Sequence, residues 1–125
     1  MTVLAAALAG CGQLSNRENA AAAVARAFEQ DAARGDAAAM CAALAPGTRD
    51  ELEDQEKEGC EQAVGGLGLP AGGQLRRIDV FGQQARAVLE GDTVLLSAFP
   101  DGWKITAAGC EPRPEMPYRC DVKGD

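Results

Sequence analysis

Apolar and polar positions change rhythm near the middle of the chain. In the first half Ala20, Ala23, Val24, Ala27 and Phe28 recur at helical spacing, which gives one apolar stripe that carries Phe28 to a core. This predicts a first helix from about Asn16 to Ala33, ended by Gly35. Asp36 stands where the cap of a second, short helix belongs, with Met40, Cys41 and Leu44 on its buried face and Pro46 as its stop. Thr48 and Glu51 match a capping box for a third helix, in which Leu52, Cys60, Ala63, Val64 and Leu67 supply the buried face.

Gly65 to Gly73 is the main break in composition and reads as a linker. It contains Gly66, Gly68 and Ala71 at the spacing of a dinucleotide-binding turn, but that turn needs a strand before it and a helix after it, and the order here is reversed. Beyond the linker the period falls to two: Ile78 and Val80; Ala85, Ala87 and Leu89; Val94, Leu96 and Ala98; Trp103, Ile105 and Ala107. Turn residues at Gly82-Gln83, Gly91-Asp92 and Pro100-Asp101-Gly102 join these four runs as an antiparallel meander. The expected fold class is therefore α+β, with three N-terminal helices packed on a four-stranded antiparallel sheet.

The N-terminal segment follows neither rhythm. Val3 to Leu8 is a short apolar run, and the residues that close it, Leu8-Ala9-Gly10-Cys11, resemble the lipobox at which an exported bacterial protein is lipidated and cleaved. No Lys or Arg precedes Cys11, as though part of the leader were missing. The expectation is a signal peptide over residues 1–10, a lipid-anchored polar spacer over 11–19 and a single domain over 20–125. The membrane partner is then reached through lipid on Cys11, and the domain lies at the outer face of the cytoplasmic membrane.

Export bears on the other cysteines. Cys41, Cys60, Cys110 and Cys120 are an even set, and of the three possible connectivities sequence separation favours Cys41 with Cys60 and Cys110 with Cys120. The second bridge would close the proline-rich stretch between its ends into a fixed flap that carries Tyr118. A zinc site is disfavoured because the chain has no His and no closely spaced cysteine pair, so no metal and no cofactor is expected.

The chain has 125 residues, enough for one domain, but only 4% are aromatic, so the core must be thin and in need of staples. Its net charge of -7 is concentrated between Glu18 and Glu61, where eleven acidic residues face four basic ones. Such a surface repels phosphate backbones, which excludes nucleic acid as a partner.

Three helices followed by a curved meander resemble the cystatin-like or NTF2-like cone over about Asn16 to Gly109. Gly91-Asp92-Thr93-Val94, Asp101 to Cys110 and Pro117-Tyr118-Arg119-Cys120 are similar to a group of small actinobacterial lipoproteins of uncharacterised function. The cone resemblance implies a cavity between helices and sheet, with Phe28, Met40, Leu52, Ile78, Leu96 and Trp103 as candidate ligand-lining residues. NTF2-like enzymes line that cone with an acid, a base and often a His or Tyr. This chain lacks His, Asp79 alternates with inward-facing Ile78 and Val80, and Tyr118 lies past the four predicted strands, so no catalytic residue is assigned. The expected function is a non-catalytic envelope lipoprotein that binds a membrane-protein partner or a small apolar ligand. A degenerate NTF2-like enzyme acting on a hydrophobic substrate is the alternative.

Overall fold

The computed structural model describes residues 9–124, the side chains of residues 9–13 and of Met116 excepted. Most of the expected leader, residues 1–8, and the side chain of Cys11, the expected lipid acceptor, lie outside the described residues. Four helices come first: α1 (Ala9–Arg34), α2 (Ala37–Ala43), α3 (Pro46–Glu56) and α4 (Cys60–Gly66). Five strands follow: β1 (Leu75–Phe81), β2 (Gln84–Leu89), β3 (Thr93–Phe99), β4 (Gly102–Arg113) and β5 (Met116–Lys123). They form one antiparallel sheet in chain order. The α+β class and the meander stand, with one helix and one strand more than the sequence predicts.

The long first helix begins before Asn16 and includes the polar segment Ser15 to Asn19. Its buried face is Ala21, Ala22, Ala25, Phe28 and Glu29, while Ala20, Ala23 and Ala27 are exposed. The expected stripe is thus rotated about the helix axis. Ala20 to Ala23 is an unbroken alanine run, so neighbouring choices of phase are almost equally apolar and contacts with the sheet decide between them. Gly35 ends the helix with a φ of 72°, and the Asp36 carboxylate accepts the Ala39 N–H at 3.1 Å to cap α2, both as expected.

The predicted third helix is two helices. Lys57 takes a left-handed conformation at the end of α3, and Gly59 starts α4. Pro46 begins α3, where its missing N–H is no loss, and Ala45 occupies the cap position. Thr48 is therefore no cap: it is buried and its hydroxyl donates to the Thr106 carbonyl at 3.1 Å, which ties α3 to β4. Leu44 and Ala45 run alongside β4, and the Ala45 N–H donates to the Ile105 carbonyl at 2.8 Å.

All four helices lie to one side of the sheet or against each other, with α1 crossing β1 to β4 and α3 resting on β4 and β5. The core between the layers is built from Phe28, Leu52, Val64, Val94, Leu96, Ile105 and Val122. Ala21, Ala25, Ala87 and Ala108 have no exposed surface, and their small side chains let α1 approach the sheet closely. The opposite, outer face of the sheet carries no helix among the described residues.

The proline-rich stretch is the tip of the β4–β5 hairpin and not an open loop. Cys110 and Cys120 pair directly across it, and Glu115 makes the turn with a φ of 57°. Tyr118 belongs to β5, which pairs only with β4, yet it borders the same cavity as Arg86 on β2. The hairpin end must therefore bend back over the outer face, and Gly109, at a φ of 64° within β4, provides a place for that bend.

Candidate functional site

The six predicted lining residues are core or lie against it. Phe28, Met40, Leu52 and Leu96 are buried, and Ile78 and Trp103 are half-buried against them. None borders the largest cavity; Met40 touches a small one of about 140 Å³ beside α2, and Leu96 adjoins the cavity on the outer face. The cysteines pair as sequence separation favours. Cys41 and Cys60 join α2 to α4 with their Cα atoms 6.1 Å apart, and Cys110 and Cys120 join β4 to β5.

The largest cavity, about 520 Å³, lies between α1 and the glycine-rich segment before β1, bordered by Arg26, Glu29, Gln30, Ala33, Gly72 and Leu75. Glu29 is only 6% exposed and its carboxyl lies over Gly72, so closely that a Cβ there would stand 2.5 Å from Oε2. Burial, then the hydrogen bond and the charge of Asp92, push the Glu29 pKa up to about 9. Asp92 is held in place by its Oδ1, which accepts the N–H groups of Thr93 at 2.7 Å and Cys110 at 3.1 Å. Glu29 Oε1 and Asp92 Oδ2 are the buried oxygens left over, and a single proton on Glu29, donated to Asp92, satisfies both. At neutral pH Glu29 therefore keeps its proton, deep in the fold.

A second cavity, about 270 Å³, opens on the outer face between Phe81, Arg86, Leu95, Ser97, Thr106 and Tyr118. Phe81 is 60% exposed, and the Arg86 guanidinium lies 5.9 Å from its ring centroid. Asp79 Oδ2 accepts from Arg77 Nε and Arg86 Nη2, each at 3.0 Å, so two cations share one carboxylate. The hydrogen bond from Arg86 is the main reason the Asp79 pKa is lowered, and the same bond raises that of Arg86, with the Tyr118 phenol adding to the rise. Arg86 Nε is buried without a partner.

The sequence reading missed Glu29, Asp92, Phe81 and Arg86. For Phe81 and Arg86 a signal was present: a Phe beside the Gly82 turn and an Arg alternating with Ala85 and Ala87 both sit at outer-face positions. Glu29 had none, because its position on the helix looks solvated unless the phase of the alanine run is known. Chemically, the inner pair is a shared-proton latch, whereas the outer cavity combines exposed aromatic surface, an unused donor and excess positive charge. No family model matches the chain, and no curated protein or solved structure is similar to it.

Proposed function

We propose that this chain is a non-catalytic binding module, lipid-anchored through Cys11 at the outer face of the cytoplasmic membrane, which binds through the outer face of its sheet. The observation that carries the binding role is the exposed Phe81 stacked by Arg86 at the mouth of the outer cavity. A chain with five aromatic residues, three Phe, one Trp and one Tyr, commits two of them to this cavity and not to its thin core. Aromatic and Arg side chains are the types that dominate binding energy at interfaces.

The location rests on the Leu8-Ala9-Gly10-Cys11 motif, and two disulfides in so small a domain support an oxidising compartment. The orientation follows from α1. Arg17 lies 5.5 Å over the Trp103 ring and donates to the Gly82 carbonyl, six residues after Cys11. An anchor on Cys11 therefore brings the β1–β2 turn, with Leu14 and Phe81 exposed nearby, to the membrane-proximal end. Expression in an actinobacterial host tests both parts. Radiolabelled palmitate should enter the wild type and not Cys11→Ser, and a photocrosslinking residue at Phe81 should capture envelope components that one at Asp54 on α3 does not. Label-free, soluble wild-type protein would refute the anchor; equal capture from both positions would refute the binding face.

The degenerate-enzyme reading has one observation in its favour, a neutral carboxylic acid at Glu29 bordering the largest cavity. Glu29 is only 6% exposed, its Oε1 is buried and its partner is Asp92, which leaves the latch as the better description.

A further inference from the structure

We infer that the outer cavity is a site for a small aromatic carboxylate, with the ring held between Phe81 and Tyr118 and the acid group held by Arg86. This deepens the binding-module reading and rests on it. Four observations combine. The volume of about 270 Å³ is near the lower end for ligand sites and suits one ring with a short acidic chain, not a long acyl chain. The walls offer aromatic faces at Phe81 and Tyr118 and an apolar floor at Leu95. Arg77 and Arg86 share the single carboxylate of Asp79, so this corner of the face has a positive charge to spare. The Arg86 side chain keeps 31% of its surface exposed, so its guanidinium can be reached by an incoming carboxylate.

The flap decides access. Tyr118 comes from the far end of the β4–β5 hairpin, and the Cys110–Cys120 bridge holds the two arms of that hairpin together. An oxidised hairpin keeps Tyr118 over the cavity with little freedom to lose on binding; a reduced one does not. The polar rim, Ser97 and Thr106, offers hydroxyls to the second carboxylate oxygen.

The test is titration of the oxidised full chain with trans-cinnamate, followed by amide NMR shifts, with cinnamyl alcohol as the uncharged counterpart. Cinnamate should move resonances around Phe81, Arg86 and Tyr118. Phe81→Ala, at an exposed position that the fold does not need, and Arg86→Gln should each weaken binding about tenfold or more. Ala33→Trp, which fills the cavity beside α1, should change nothing. Equal binding of cinnamyl alcohol, or shifts confined to α1 and residues 71–75, overturns the inference. If neither probe binds while a crosslinker at Phe81 still captures an envelope protein, the ligand class falls and the binding module stands. If both fail, both readings fall.

Discussion

Glu29 on α1 and Asp92 at the β2–β3 turn meet carboxyl to carboxyl inside the fold, and one shared proton joins them. A raised pKa has a definite sign in stability. Between the ordinary value of 4.5 and about 9 the folded state holds a proton that the unfolded chain has released, so this contribution is complete below 4.5 and is lost as pH rises towards 9. Asp79, whose pKa is lowered by Arg86, acts in the opposite sense and is lost only at the acid end. Urea midpoints of the wild type should therefore fall between pH 5 and pH 9. Glu29→Gln, whose amide donates to Asp92 at every pH, should flatten that slope, whereas Glu29→Ala leaves a buried carboxylate oxygen unpaired and should cost about 1–3 kcal/mol. A wild-type midpoint that rises or stays level from pH 5 to pH 9 would exclude the shared proton.

The two disulfides should differ in what their loss does. Cys41 and Cys60 are buried in the core and join two short helices, so replacing both by Ala should lower stability by about 2–3 kcal/mol on the loop-entropy account. The Cys110–Cys120 bridge closes a shorter stretch at the sheet's end, and its main role is to hold the hairpin tip. Replacing that pair should expose Arg119 to trypsin while the domain stays folded. Protection of Arg119 that survives loss of the bridge would mean that strand pairing alone holds the tip.

Much of the architecture was legible because it depends on rules that act over a few residues. Gly35 and Asp36 set the α1–α2 corner by backbone freedom and a local carboxylate, and alternation from Ile78 to Ile105 marks four strands with correct inner faces, until a register slip in β4 sets Ala107 opposite Leu95 and gives its inner place to Ala108. The misses share a cause. Thr48 satisfies a capping pattern, yet its hydroxyl serves Thr106, 58 residues away, and no local rule sees that partner. The fifth strand was hidden by Pro112, Pro114 and Pro117, which are tolerated because β5 is an edge strand and its hairpin with β4 runs past the end of β3. At the site, the cysteine pairing was readable from separation, whereas Glu29 and Asp92 meet only after α1 has docked on the sheet with one phase of its alanine run.

Two glycines of the same chain should respond in opposite ways to alanine. Gly91 donates its N–H to the Gly72 carbonyl at 2.8 Å, and a Cβ on Gly91 would run into the Ala71 backbone oxygen, which no side-chain rotation can relieve. Gly91→Ala should destabilise clearly and loosen the strap over Glu29. Gly65 lies inside α4 with open space where a Cβ would go, so Gly65→Ala should stabilise by about 0.5–1 kcal/mol through helix propensity. Equilibrium unfolding of both variants checks the pair, and a harmless Gly91→Ala would show that the strap does not approach the turn so closely.

Lys57 offers the last test, because the split between α3 and α4 depends on it. Its φ of 58° and ψ of 33° are left-handed, a conformation that costs a residue with a Cβ about 1 kcal/mol or more. Its N–H closes α3 on the Glu53 carbonyl at 2.9 Å, while the Glu53 side chain turns the other way and accepts the Cys60 N–H, also at 2.9 Å. The corner is thus over-determined by Glu53 on one side and the Cys41–Cys60 bridge on the other, and Lys57 is held there against its own preference. Lys57→Gly should relieve the strain and raise the urea midpoint by the equivalent of about 0.5–1 kcal/mol with an unchanged slope. Lys57→Val, β-branched and less tolerant of positive φ, should lower it. If the chain instead continued as one helix through this point, the order would reverse, since glycine would then be the more damaging of the two substitutions.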